Sequence, residues 1–372
     1  MRIEERAEQL GVPGCVTCGR CTWACPVSRR PGDFSPRTLV ERFLREGRVP
    51  NDRGIWSCTN CAMCSEVCDS GVRFHEFIRD LRGEIVKDVP PEMTHGGIVP
   101  SVRRLTSMPH ISPRKNTWVT DSMELDPGSG TLLFVGCIPY FDVMFRDFRD
   151  DLLEIPRAAV SLLNAMGVKP ALIDGERCCG HDAYWMGDMA TLETLARLNL
   201  EAIEARGTDR VVFTCPEGYW TFKELYPSLI GPLGFEVESL TELLGNAIKD
   251  GTVVLERSDK KITFQDPCRL GRYSGIVDEP RTIIDALGMR QEMGRTGRLS
   301  ACCGHSNWVN CDTYTRDWQL ERLREAESTG SEVLVTACPK CLIHLTCAQR
   351  NLPERGINIE DIHVMAASAL KH

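Results

Sequence analysis

The tetrapeptide Cys178-Cys179-Gly180-His181 occurs a second time in this chain, as Cys302-Cys303-Gly304-His305. The surroundings also match: an apolar strand ending in a cysteine precedes each copy, and a long amphipathic helix and a strand ending in Cys-Pro follow it. The closing segments of the two copies begin at Gly234 and Gly356, 122 residues apart. A repeat in which strands and helices alternate predicts two equivalent α/β units related by pseudo-twofold symmetry.

Cysteines stand at the predicted strand ends of both units, where the loops of α/β folds provide chemistry. The second unit has five of them, namely Cys268, Cys302, Cys303, Cys338 and Cys341. Adjacent cysteines cannot readily bind one small tetrahedral ion, but they can span two irons of a larger cluster. The first unit has only four, namely Cys137, Cys178, Cys179 and Cys215, because Gly218 stands where the second unit has Cys341.

Eight further cysteines form two copies of a bacterial ferredoxin motif, in which two residues separate the first three cysteines and three residues precede the fourth. The copies are Cys15, Cys18, Cys21 and Cys25, and then Cys58, Cys61, Cys64 and Cys68. With this spacing the first three thiolates bind one cube and the fourth reaches the other. We therefore assign one [4Fe-4S] cluster to Cys15, Cys18, Cys21 and Cys68, and the second to Cys58, Cys61, Cys64 and Cys25. A pair of zinc sites is the alternative, although zinc ribbons rarely show this spacing.

A helix is predicted between the two motifs, with Ser35 as its N-cap, Pro36 at its first position and Gly47 at its end. This spacer indicates an expanded, α-helical ferredoxin module over residues 1–87. Residues 88–130 contain six prolines and no clear periodicity, so we expect a linker or an arm long enough to lie across a partner subunit. The chain is thus α+β overall.

The repeated units occupy residues 131–250 and 251–372. The 372 residues are 42% hydrophobic, which is enough for two or three domains with cores. The 19 cysteines are clustered rather than evenly spaced, which favours metal ligands over disulfides.

Composition also bears on location and partners. The mixed-charge residues 1–10 do not resemble an export leader, so we expect a reducing cytoplasm. Apolar runs are too short for a transmembrane segment, and membrane association would come through a partner subunit. The net charge of −8 argues against nucleic-acid binding.

The paired motifs resemble those of the heterodisulfide reductase family. Ser35-Pro36-Arg37 and Ile55-Trp56-Ser57-Cys58 strengthen the match to its small iron–sulfur subunit, and the two units resemble the cysteine-rich CCG domains of its catalytic subunit. The whole chain is therefore similar to a fusion of the two subunits. This resemblance implies a ferredoxin module followed by two α/β CCG domains.

The resemblance also implies cofactors and an activity. Two cubane [4Fe-4S] clusters would pass electrons to a non-cubane [4Fe-4S] cluster held by the catalytic cysteines Cys268, Cys302, Cys303, Cys338 and Cys341. A heterodisulfide of the CoM-S-S-CoB type, or a related thiol–disulfide couple, would be reduced there. Because Gly218 offers no ligand, three contents stay open for the first unit: an iron–sulfur cluster on four thiolates, a zinc ion, or no metal.

Relatives of the same construction suggest an alternative without catalysis. The chain would then be an electron-transfer subunit of a flavoprotein dehydrogenase of the glycolate, lactate or glycerol-3-phosphate type, or of a large anaerobic complex such as aromatic acyl-CoA reductase. No flavin or nicotinamide fingerprint is evident, so we expect a flavoprotein or another electron-donor subunit as partner, with a small thiol or disulfide as a further ligand.

Three other side chains have two interpretations each. His181 and His305 could donate to cluster sulfurs or substrate, or could only pack. Lys340, between two predicted ligands, is either an electrostatic neighbour of the cluster or a solvated lysine. Cys311 and Cys347 match nothing in the repeat, and we interpret both as ordinary small side chains.

Overall fold

A computed structural model describes most of the chain. The described residues are 2–29, 34–47, 53–86, 93–147, 149, 151–304, 307–309, 311–350 and 356–371. His305, which was interpreted together with His181, lies outside these ranges.

The N-terminal module is helical, as predicted. Its helices are Ile3–Gln9, Arg20–Ala24, Pro36–Glu46, Arg53–Ser57, Met63–Glu66 and Phe74–Ile85. The spacer helix begins as the sequence indicates, because the Ser35 hydroxyl accepts a hydrogen bond from the Thr38 amide at 3.0 Å. Gly47 ends it with a φ of 67°, a left-handed conformation that suits glycine. Residues from several of these helices, among them Leu10, Val40, Phe43 and Phe77, form a separate small core.

The segment predicted to be a linker or an arm is partly helical and packs on its own chain. It forms a 3₁₀ turn at His95–Gly97 and a nine-residue helix at Ile98–Thr106. Trp118 is 1% exposed and belongs to the core of the repeated units. The helix was not predicted because it contains Pro100, which usually breaks helices. Pro100 is tolerated here because it lies in the first turn, where the backbone amide needs no helical partner.

The first repeated unit contains a parallel sheet of three strands. They are β1 (Thr131–Phe134), β2 (Arg210–Phe213) and β3 (Glu236–Ser239), in the order β1-β2-β3. The helices around it are Ile138–Phe145, Glu154–Ala165, His181–Met186, Met189–Glu204, Pro216–Trp220, Tyr226–Ile230 and Leu240–Lys249, with a π-helical turn at Thr221–Leu225.

The second unit repeats this design. Its parallel strands are β4 (Lys261–Gln265), β5 (Met289–Arg290), β6 (Val333–Thr336) and β7 (Asn358–Asp361), in the order β5-β4-β6-β7. Its helices are Asp278–Leu287, Thr313–Glu327, Pro339–Arg350 and Ile362–Ser368, with a π-helical turn at Arg269–Tyr273 and a 3₁₀ turn at Gly297–Leu299. In the first unit a single parallel bridge from Leu132 to Ala171 takes the place of the β4–β5 pair.

The two units face each other across a pseudo-twofold axis. The Thr241 hydroxyl and the His363 Nε2 are 3.0 Å apart, and these residues are 122 positions apart in the chain, the same offset as in the sequence repeat. Equivalent residues can meet in this way only near the axis that relates the two copies. A single hydrophobic core extends through both units. Within the described ranges no helix is both long and apolar enough to cross a membrane.

Candidate functional site

None of the 19 cysteines, all of which lie in the described ranges, forms a disulfide, and the described structure gathers 17 of them into the predicted groups. In the N-terminal module one cavity is lined by the predicted set Cys15, Cys18, Cys21 and Cys68 and also by Cys64 of the second set, with apolar walls that include Val40 and Phe74. Burial raises the pKa of Cys21, and the neighbouring Cys15 thiol adds to the shift. The four thiols of the predicted set around one cavity fit a thiolate-ligated cluster.

The second N-terminal group is more deeply buried. Burial raises the pKa of Cys25 to about 12, and the neighbouring Cys58 and Cys61 thiols add to the shift. Cys64 interacts with Cys58, Cys61 and Cys25. Cys25 therefore lies with the second motif although it belongs to the first in sequence, as the ferredoxin spacing predicts. The ligand assignment itself stays a prediction.

This second group touches the second repeated unit directly. The Cys61 and Cys302 thiols are hydrogen-bonded to each other, and the Cys302 Sγ lies 3.5 Å from the Thr59 hydroxyl. Arg272 donates to the Cys61 carbonyl at 2.6 Å, and the Tyr273 hydroxyl donates to the backbone of the same loop at 2.7 Å. The predicted ferredoxin ligands and CCG ligands thus form one continuous set of thiols.

The five cysteines of the second unit converge from three loops. Cys303 is hydrogen-bonded to Cys302 and Cys341, and the Cys302 contact lowers the pKa of Cys303 to about 6. Cys338 and Cys341 are also hydrogen-bonded, and Cys268 interacts with Cys302 and Cys303. The sharp turn that follows Cys302 and Cys303 requires glycine at Gly304, whose φ is 86°.

The four cysteines of the first unit form a similar but incomplete group. Cys178 is hydrogen-bonded to Cys137 and Cys179, and Cys179 interacts with Cys215. A Cβ atom at Gly218 would lie 3.1 Å from the Phe213 ring. The ring occupies the space beside the position where the second unit has its fifth thiol.

The two groups of thiols meet at the pseudo-twofold axis. Cys215 and Cys338, which precede the equivalent prolines, are hydrogen-bonded to each other. A cavity beside them is lined by the first unit's cysteines, by Lys340, and by apolar side chains that include Val99, Phe141, Met144 and Trp308. The helix Ile98–Thr106 forms part of its wall, so the segment expected to be a linker contributes to the site.

Lys340 connects the two units across this cavity. Its ammonium lies 2.6 Å from both the Asp182 and the Glu217 carboxylates. Burial opposes its charge, yet the two carboxylates raise the pKa of Lys340 well above its ordinary value. The interpretation of Lys340 as a solvated lysine is therefore wrong. Glu217 was missed, although the repeat could have revealed it, since Glu217 and Lys340 both follow a Cys-Pro pair.

His181 is part of the same network. Arg269 Nε donates to His181 Nε2 at 2.8 Å, and His181 Nδ1 lies 3.0 Å from Asp182. Burial lowers the pKa of His181. His181, Asp182 and Glu217 could together bind a metal ion, but the Lys340 ammonium already contacts both carboxylates. His181 is thus a buried link between the two units.

The first unit has a charged pair beneath its thiols. Lys115 and Glu176 form an ion pair and are each 2% exposed. Glu176 also accepts hydrogen bonds from the Val135 and Gly136 amides at 3.0 and 2.6 Å. Burial raises the pKa of Glu176, although Lys115 opposes this shift. The pair fixes the loop before Cys137 against the segment that leads to Cys178.

His75 lies at the boundary between the N-terminal module and the repeated units. Its Nδ1 is 2.7 Å from the Ser65 hydroxyl, and its ring contacts Trp185 and Tyr273. Burial, assisted by nearby arginines, lowers the pKa of His75 to about 3. The imidazole is therefore neutral in the folded protein at ordinary pH.

His75 should make stability depend on pH. An unfolded histidine takes up a proton below about pH 6.5, whereas folded His75 resists protonation until about pH 3. Its contribution to stability is thus present above the unfolded pKa and is lost as the pH falls. Between about pH 7 and about pH 5.5, the wild type should lose about 1 kcal/mol more unfolding free energy than His75→Gln. Anaerobic urea titrations would measure this, and parallel pH profiles would contradict it.

Comparisons with known proteins agree with this arrangement. The family model described as "4Fe-4S dicluster domain" matches residues 11–72. The model described as "Cysteine-rich domain", the CCG family, matches residues 131–223 and 262–346. The two CCG matches lie within the two repeated units. They end before the predicted ends of both units, so the predicted domain boundaries stay predictions.

Several curated proteins are similar over almost the whole chain. A dihydromethanophenazine:CoB–CoM heterodisulfide reductase subunit of Methanosarcina acetivorans is 27% identical, covering 97% of this chain and 94% of the relative. A fumarate reductase (CoM/CoB) subunit of Methanothermobacter marburgensis is 25% identical, covering 98% of this chain and 73% of the relative. The EtfAB:quinone oxidoreductase of Syntrophomonas wolfei is 25% identical, covering 90% of this chain but 54% of the relative.

The dicluster match, the two CCG matches and the end-to-end similarity to the Methanosarcina heterodisulfide reductase protein confirm the resemblance noted in the sequence. The chain is similar from end to end to heterodisulfide reductase subunits and is an iron–sulfur electron-transfer subunit of an oxidoreductase of that type, with its dicluster module fused to two CCG domains.

Proposed function

We propose that this chain passes electrons from its N-terminal module to the second CCG domain and that a disulfide of the CoM-S-S-CoB type is reduced there. The observation that carries the proposal is the direct contact of Cys61 with Cys302. It joins a predicted cubane ligand to a predicted CCG ligand without an intervening residue. A short, half-buried connection of this kind favours electron transfer along the chain over two independent metal sites.

The proposed cofactors are two cubane [4Fe-4S] clusters and one non-cubane [4Fe-4S] cluster. The first cubane would be held by Cys15, Cys18, Cys21 and Cys68, the second by Cys25, Cys58, Cys61 and Cys64, and the non-cubane cluster by Cys268, Cys302, Cys303, Cys338 and Cys341. When bound, such clusters supply one-electron transfer and iron sites that accept thiolates. For Cys137, Cys178, Cys179 and Cys215 we propose a four-thiolate iron–sulfur cluster, with zinc as the alternative.

Disulfide reduction needs two electrons and two protons, and it breaks one S–S bond to give two thiols. The electrons would come from a flavoprotein or another electron-donor subunit, and the protons would come through buried polar groups. Lys340 and His181 are suited to this, because they form one hydrogen-bonded network with Asp182 beside the thiol-lined cavity. The cavity's apolar wall, formed in part by Phe141 and Trp308, would exclude water from the first CCG domain's thiols and from this polar network.

One observation favours a second candidate, an electron-transfer subunit without a substrate site. The first CCG domain has no fifth thiol, because Gly218 stands at that position, and the Phe213 ring fills the space beside it. A reductase that binds a disulfide between two CCG clusters requires both clusters to be complete. An electron path through the chain requires only one complete CCG cluster. Relatives named as part of a fumarate reductase and as a quinone oxidoreductase are compatible with this role. In either case membrane association would come through a partner subunit.

Metal analysis and electron paramagnetic resonance on anaerobically purified protein would separate these functions. We expect about twelve irons from the two cubanes and the non-cubane cluster, further iron if the first CCG domain also holds a cluster, and a new paramagnetic signal when coenzyme M is added under oxidising conditions. The same iron content without any response to thiol would favour the electron-transfer role. Iron near zero with zinc in its place would contradict both.

A further inference from the structure

Three buried arginines surround the second N-terminal motif. Arg82, Arg269 and Arg272 are 0%, 3% and 5% exposed. One comes from the helix Phe74–Ile85 of the module and two from the π-helical turn that follows Cys268. None was singled out by the sequence, because the three become neighbours only through the fold.

All three donate to the backbone of the cysteine-bearing loop. Arg82 donates to the Cys58 carbonyl at 2.7 Å, and Arg272 donates to the Cys61 carbonyl at 2.6 Å. Arg269 donates to the carbonyl of the intervening Asn60 at 2.7 Å, and its guanidinium also lies 3.8 Å from the Cys268 sulfur. The guanidinium groups therefore approach the loop between two predicted cubane ligands, and one of them also reaches a CCG ligand.

Within the part of the chain that the structure describes, none of these arginines forms an ion pair with a carboxylate. Their remaining hydrogen-bond partners are backbone carbonyls, the Asn60 side chain and the neutral His181 ring, and the guanidinium groups of Arg82 and Arg269 also stack on aromatic rings, none of which carries a negative charge. Glu217 interacts with Arg269 at longer range, but its carboxylate pairs with Lys340. Buried charges without a counter-ion are strongly unfavourable. Three of them around one loop require a buried anion.

The thiolates of the second motif are the negative charges available at this place. A cluster held by four thiolates is a net anion, and each electron it accepts makes it more negative. Buried cations nearby stabilise the reduced form and so raise the reduction potential, the more so because solvent is excluded.

In the described residues the first motif has a more exposed environment. The two arginines that line its cavity are Arg20 and Arg37, whose side chains are 58% and 41% exposed and form ion pairs with Asp69 and Glu41. Solvent screens these pairs, and the carboxylates cancel the arginine charges. The two N-terminal sites therefore differ in electrostatics although their ligand spacing is the same.

We infer that Arg82, Arg269 and Arg272 are positioning residues that raise the reduction potential of the second cubane site above that of the first and so direct electrons inward, toward Cys302. This inference rests on the proposed electron path and adds its direction. Without such a difference in potential, electrons would divide equally between the two sites instead of collecting beside the second CCG domain.

Redox titration of the anaerobic full-length protein, followed by electron paramagnetic resonance, would test the inference with Arg272→Gln. At a fixed potential the ratio of reduced to oxidised second cubane should fall about tenfold, the size of one charge-assisted contact, while the first cubane titrates as before. Arg272→Lys keeps the charge and should stay near the wild type. Arg20→Gln, at the first motif, is the matched control and should shift neither site appreciably.

Three outcomes are decisive. A downward shift confined to the second cubane in Arg272→Gln, with Arg272→Lys unaffected, supports the inference. Equal shifts in the Gln and Lys variants would overturn it, because hydrogen bonding rather than charge would then set the potential. Unchanged potentials in Arg272→Gln and Arg82→Gln, both with wild-type iron, would also overturn it. A wild type without two cubane signals would instead refute the proposed function.

Discussion

Replacing Cys303 with serine should abolish disulfide reduction while leaving the N-terminal module loaded. Cys303 is buried and is hydrogen-bonded to both Cys302 and Cys341, so its thiol is central to the five-cysteine group. A serine hydroxyl is a poor ligand for the soft iron–sulfur core. We expect the iron content to fall by about four atoms and the two cubane signals to persist. Iron analysis and a reductase assay with a chemical electron donor and CoM-S-S-CoB would measure both effects.

Cys311→Ser is the matched control, since Cys311 is exposed and lies outside the predicted ligand sets. It should retain the full iron content and full activity. If Cys303→Ser kept both, the assignment of the five cysteines would be wrong. If it lost iron but kept the activity, the reduction site would have to be sought elsewhere, with the four cysteines of the first CCG domain as the next candidates.

Local signals in the sequence were sufficient for much of the fold. The predicted N-cap Ser35 accepts a hydrogen bond from the Thr38 amide, and the spacer helix begins and ends where Ser35 and Gly47 indicate. The 122-residue offset predicted both the matching strands and the pseudo-twofold relation, which the Thr241 contact with His363 confirms. These features depend on neighbouring residues or on repetition, and both are visible in a single sequence.

Features of the site that depend on distant contacts could not be predicted. The approach of Thr59 to Cys302 joins residues 243 positions apart, and no local pattern encodes it. The helix Ile98–Thr106 was missed because Pro100 resembles a helix breaker, although in the first turn it costs no hydrogen bond. Glu217 was passed over because a charged residue in the first turn of a helix is usually solvated, whereas here the second unit supplies the buried Lys340.

The buried Lys115–Glu176 pair leads to a strong prediction for stability. Lys115→Met would leave the Glu176 carboxylate buried with only the Val135 and Gly136 amides as donors. Breaking a buried ion pair from one side typically costs about 3–5 kcal/mol, because the remaining charge is uncompensated. We expect a loss of this size in the free energy of unfolding, measured anaerobically by urea titration.

The double variant Lys115→Met with Glu176→Gln should recover most of that loss, because the amide keeps an acceptor for the Val135 and Gly136 amides and no longer carries a charge. Lys169→Met is the surface control: Lys169 pairs with Glu124, but both side chains are more than half exposed, and its removal should change stability little. Recovery would show that burial of an uncompensated charge, rather than loss of packing, causes the destabilisation. If Lys115→Met were as mild as Lys169→Met, residues 93–130 would be an accessory arm, and the wall they form around the first CCG site would not be needed for folding.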